Sequence, residues 1–360
     1  MEPLDVTIHV DYAFDVGYEI DLERVKPLLQ GVPAPLPRRR RTPESIRYRP
    51  APIRLPIDAS GLRLCRRIPE GQSARGDLSI FDFGAVSLAL QFPIHATAEE
   101  LLALAGDLAD TSELTTAARR LLDPWIERIK PAVITFELSE LSEEYIVFQV
   151  TNARTSWLEE HPDWIAGLVR LESAPLSRNE VAEATRLSLS YSPDDVVTLD
   201  WAAGFVADRD CADTLQVIEF ANVQLLEFRH IDDRLDDRLE AAYRLIRPTG
   251  RRKWPLVWWR SHADAVRSVR ELEIEATSLF ERADNALKLI GDQYLSRVYE
   301  LASTRFHLRE WQQSIRRKLE TVGDVYDLLV QQSGGQRMEA LEVTVVILIA
   351  MEILLALIRH

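Results

Sequence analysis

Ser79-Ile-Phe-Asp-Phe-Gly-Ala-Val-Ser-Leu-Ala-Leu-Gln-Phe92 holds two β-rich runs on either side of Gly84. A glycine interrupts a strand pattern where the chain bulges, turns or comes close to another backbone. The stretch therefore predicts strand on both sides of residue 84, with bulge, turn and close approach all open. Upstream, Leu4, Val6, Ile8 and Val10 alternate with Asp5, Thr7, His9 and Asp11. That period of two marks a strand with one buried face. Asp21 then opens a short helix as its N-cap, with Glu23 near the positive end and Pro27 limiting its length. Downstream of residue 92, helical patterns at 98–110 and 112–130 give way to strand character at 132–138 and 144–150. Weaker strand signals follow at 187–191 and 195–199. Neither glycine-rich nucleotide fingerprint occurs, and the βαβ regularity of a doubly wound sheet is missing. The expectation is an α+β fold: a mixed α/β head over 1–210.

Within the head, 31–56 stands apart. It contains seven prolines and the run Arg38, Arg39, Arg40, Arg41. Dense proline opposes helix and central strand, so an extended loop is predicted. Four adjacent arginines favour exposure. They are candidate contacts for RNA phosphates or anionic lipid, against the alternative of a solvated loop.

Beyond the head the pattern turns helical. Ala212–Ile246 reads as one long helix, ended by Pro248 and Gly250. Arg251, Arg252, Lys253, Trp254, Trp258 and Trp259 cluster in a basic, tryptophan-rich connector. Such a cluster suits a bilayer interface or RNA stacking, or else a set of core tryptophans. Apolar seams follow at heptad spacing. The second runs through Leu301, Leu308, Ile315, Leu319, Val322 and Leu329, with Arg305 and Gln312 as polar seam positions that fix register or partner. The stalk over 211–335 is expected to be a coiled-coil hairpin, turned at Gly291-Asp292, or one long helix. Its seam predicts a homo-oligomer.

The final segment, 336–360, contains Val343–Ile358, sixteen residues apolar apart from Thr344 and Glu352. As a helix it spans about 24 Å at 1.5 Å per residue, somewhat short of a hydrocarbon core of about 30 Å. Glu352 costs about 3 kcal/mol at a bilayer centre, which the summed Ile, Leu and Val contributions outweigh. A membrane anchor is the expectation, and a buried oligomer core the alternative. Arg316, Arg317, Lys318 and Arg337 precede the run, which places the head in the cytoplasm. The other reading is a soluble cytoplasmic protein.

The balance of 43 Lys and Arg against 57 Asp and Glu gives a net charge of -14. A chain coated all over for nucleic acid is excluded, though a local basic patch is not. Hydrophobic residues at 46% exclude global disorder. Cys65 and Cys211 cannot form a disulfide framework and read as reduced thiols. The first residues carry acids (Glu2, Asp5, Asp11) and no apolar run, so no secretory signal is expected.

The order of features resembles the required-for-meiotic-nuclear-division family, an uncharacterised-domain family of bacteria, fungi and mitochondria. The resemblance rests on Ile80–Val86, on Val217–Arg229 with its continuation to Asp237, and on Arg337–Glu342 followed by Leu348–Glu352. The chain looks like a bacterial-type member, which implies that the membrane is a bacterial inner membrane. The resemblance implies a membrane-anchored, self-associating protein, linked through the mitochondrial members to translation. It carries over no catalytic residue.

Residue chemistry adds little. Glu227 and His230 sit one helical turn apart, as in di-iron bundles, but no second such motif accompanies them. Arg234 and Arg238 interleave with the acids of 232–240, which reads as a salt-bridged face. Cys65 lies beside Arg66 and Arg67, which favours a thiolate, against the plainer reading of an idle thiol. No cofactor, metal or small-molecule substrate is inferred. The expected function is a non-enzymatic, membrane-tethered, self-associating scaffold on the cytoplasmic face. The alternatives are an RNA- or ribosome-contacting module, and a metal-dependent enzyme whose site the sequence does not disclose.

Overall fold

The computed structural model describes residues 3–29, 50–65, 74–152, 155–193, 195–246, 273–274, 276–278, 280–281 and 292–325. Arg38–Arg41, the connector at 251–259, Leu329 and the run 341–358 lie outside them. Two compact units form: one from residues 1–230 with 279–311, the other from 231–278 with 312–360.

The first unit is built on an eight-stranded sheet. Its strands are β1 (Leu4–Asp15), β3 (Ile53–Asp58), β4 (Arg75–Ile80), β5 (Ala85–Ala96), β7 (Ser142–Val150), β8 (Ser188–Leu189), β9 (Val196–Leu199) and β10 (Ala203–Ala207), in the order β3-β4-β5-β1-β7-β10-β9-β8. All neighbours are antiparallel except β7 and β10. A separate ribbon pairs β2 (Gly17–Ile20) with β6 (Val133–Phe136). The fold is thus mixed α and β around a large sheet, as the sequence pattern predicts.

The alternation in β1 decides which layer lies where. Leu4, Val6, Ile8, Val10, Tyr12 and Phe14 all face one way and are buried in the main apolar core. Their partners across β5, from Phe92 to Val86, continue that face. Helices α2 (Ala98–Asp107), α3 (Ser112–Ile129) and α5 (Pro162–Arg170) supply the other half of this core, with Leu101, Leu122 and Trp164 among the buried residues. Trp164 donates its indole N–H to the Ala98 carbonyl at 2.8 Å, so its one polar atom is satisfied. α2 starts at a capping box, Thr97 with Glu100, a device typically worth about 1 kcal/mol.

The opposite face of β1 carries His9, Asp11 and Asp15, all buried. Over it lies the part of α7 (Ala212–Ile246) up to His230. Arg54 meets Glu219 at 3.1 Å, Asn222 donates to the Asp11 carbonyl at 3.4 Å, and His230 stands 3.7 Å from Asp15. Val217, Ile218, Ala221, Val223 and Leu226 are buried as well, so α7 is held by apolar packing with polar pairs set into it. α8 (Gln293–Arg305) joins this layer, where Tyr299 donates to Gln224 Oε1 at 2.7 Å.

Gly84 turns the chain between β4 and β5 with φ +95°. A Cβ there would sit 1.8 Å from the Gly17 carbonyl oxygen, so both the conformation and the close approach require glycine.

Two expectations need correction. Residues 31–56 are not loop throughout, because β3 begins at Ile53 and pairs with β4, taking Pro56 into a strand. β3 is the sheet's edge, the place where a strand tolerates proline. Nor does the second heptad run form a continuous stalk helix. α8 ends with Phe306 as its C-cap, His307 takes φ +54°, and a new helix covers 308–325. The cause is Phe306, buried edge-on against Tyr145 at 4.9 Å, which holds the chain to the sheet. Asp292 caps α8 through the amides of Tyr294 and Leu295, so a helix starts there rather than running through. A long coiled-coil stalk is not seen among the described residues.

In the second unit, Ile231 and Leu235 of α7 and Ile315 and Val322 of the 308–325 helix are buried. Lys318 bridges Asp232 at 2.8 Å and Asp236 at 2.6 Å. Among the described residues no helix is long and apolar enough to cross a membrane.

Candidate polar groove

An open groove of about 890 Å³ lies between the N-terminal turns of α3 and the start of β7, with Arg229 of α7 at its margin. Register explains its two adjacent acids. Glu143 is opposite Ala13 and Glu144 is opposite Tyr12, so their side chains leave opposite faces of the strand.

Glu144 projects toward α3. The Thr111 hydroxyl donates to its carboxylate at 2.5 and 2.6 Å, and the Thr115 hydroxyl reaches Oε2 at 3.1 Å. Thr111 is the N-cap of α3 but spends its hydroxyl on Glu144 rather than on the helix. Tyr12 is fully buried below, its phenol accepting from Thr115 at 3.4 Å. Burial drives its pKa far above the usual phenol value, with the Thr115 hydrogen bond opposing and the Glu144 charge reinforcing the rise.

Glu143 faces α7 and pairs with Arg229. It is buried, and that desolvation raises its carboxyl pKa despite the guanidinium beside it. Arg119 donates to the Ser139 carbonyl at 2.8 Å and stands over the Phe14 ring at 5.9 Å. The groove is therefore a preorganised polar surface with ionic groups fixed by neutral hydroxyls, a carbonyl and one ion pair. That arrangement suits recognition of a polar ligand.

None of these groove residues is apparent in the sequence. Thr111, Thr115, Glu143 and Arg229 come from three elements, and only the Glu143-Glu144 pair is local. The seam residues fall elsewhere. Leu308, Ile315 and Val322 are buried, while Leu301 and Leu319 are half-buried. Arg305 leaves the seam for Asp200. Glu227 and His230 lie on α7 as predicted, with His230 toward Asp15. Among the described residues no group of three or more His, Cys, Asp or Glu is arranged to hold a metal ion. Cys211 is buried with its thiol pushed up to about 12, by desolvation first and by Asp208 second.

Comparison with known proteins gives a family and one relative. No solved structure matches. The chain is 25% identical over 252 residues to the uncharacterized protein MJ0711 of Methanocaldococcus jannaschii, covering 69% of this chain and 75% of that protein. A family model described as "Uncharacterized protein MJ0711, N-terminal domain" matches residues 5–214, which takes in the sheet and the start of α7. By that match over more than half its length, the chain belongs to the family of the MJ0711 N-terminal domain.

Proposed function

We propose that the protein is a non-enzymatic scaffold, tethered to a membrane by its C-terminal run, with its head in the cytoplasm and its helical part mediating self-association. The observation that carries this reading is the apolar run Val343–Ile358, near spanning length and preceded by basic residues. Self-association draws support from the second unit. There Ile315 and Val322 share one heptad position of the helix over 308–325, the spacing by which apolar seams find partner helices. The narrower kinship with the required-for-meiotic-nuclear-division family is part of the proposal, and with it a role in tethering translation machinery. It is supported by the order of the motifs at 80–86, 217–237 and 337–352.

Deletion of residues 341–360 tests the tether. The full chain is expected in the membrane fraction, resistant to salt and released by detergent. The shortened chain is expected in the soluble fraction with its sheet intact. A full chain that stays soluble without detergent overturns the tether.

A further inference from the structure

We draw no further inference here: the strongest candidate, the exposed apolar side chains Tyr18, Ile134 and Leu138 in and beside the β2–β6 ribbon, carries nothing because nothing in the structure shows what covers them.

Discussion

Arg305 at the end of α8 and Asp200 at the end of β9 lie 3.1 Å apart, with side chains 10% and 1% exposed. The guanidinium also donates to the carbonyls of Leu199 at 3.1 Å and Glu183 at 3.0 Å. Arg170 meets the other Asp200 oxygen at 2.5 Å, and Tyr145 donates to the Asp200 carbonyl at 2.8 Å. Burial still raises the Asp200 pKa, with the Trp201 amide and both arginines opposing. Arg305 thus pins α8 to the end of β9 and to the helix that carries Glu183, and this is why a heptad position holds a charge.

Arg305→Met keeps the length of the side chain and removes its donors. Two carbonyls lose their partner and Asp200 keeps one guanidinium of two. The expected loss is about 3 kcal/mol, the scale for removing one member of a buried pair. Arg305→Lys is expected to recover little, because one ammonium cannot reproduce the planar fork. Urea denaturation of the full chain in detergent, followed through its head, measures both. A methionine variant within about 0.5 kcal/mol of the wild type shows that the network contributes nothing to stability.

What the sequence discloses follows from range. β1, the strands around Gly84, α2, α3 and α7 rest on local periodicity and caps, and they form where the pattern places them. Asp21 caps α1 (Leu22–Leu28) through the amides of Glu23 and Arg24. β10 carried no signal. Ala203–Ala207 is a five-residue apolar run, buried throughout, and lacks the alternation that marks a half-buried strand. α5 was missed for a similar reason, since nearly every residue of Pro162–Arg170 is apolar or buried. The heptad run misled because spacing alone does not register Phe306, which turns into the sheet and breaks the helix. The groove was illegible because its groups converge from residues as far apart as Thr111 and Arg229.

Glu143 gives a pH dependence with a definite sign. Its carboxyl is raised above the ordinary 4.5 by burial, against the pull of Arg229 and with help from Glu144. The folded chain therefore holds this proton to higher pH than the unfolded chain does. Stability associated with Glu143 is greatest below the ordinary value and declines as pH rises through the folded one. Glu143→Gln removes the titration. The difference, variant minus wild type, is expected to grow as pH rises above the ordinary 4.5. Carboxyls held low, such as Glu100 at its capping box and Glu183 beside Arg186, contribute the opposite slope to both proteins and cancel. Urea midpoints across this range provide the measurement, and a flat or falling difference rules out the buried, raised carboxyl.

Ile315 and Val322 test the proposed self-association. Both are fully buried within the second unit, alongside Ile231 and Leu235. Replacing both with Asp places two charges in an apolar seam, at about 2–7 kcal/mol even for uncharged polar groups and more for ions. The seam then opens, whether it closes within one chain or by exchange between copies, so loss of helix alone does not separate the two. Chain number does. Sedimentation in detergent is expected to show the wild type as more than one chain and Ile315→Asp/Val322→Asp as one. Slow amide exchange in β1, β5 and β7 of the variant is the accompanying control, because these strands belong to the first unit and have their own core. A wild type that sediments as a single chain means that the seam serves only its own fold. The self-associating part of the scaffold is then wrong, while the tether stands or falls with residues 341–360.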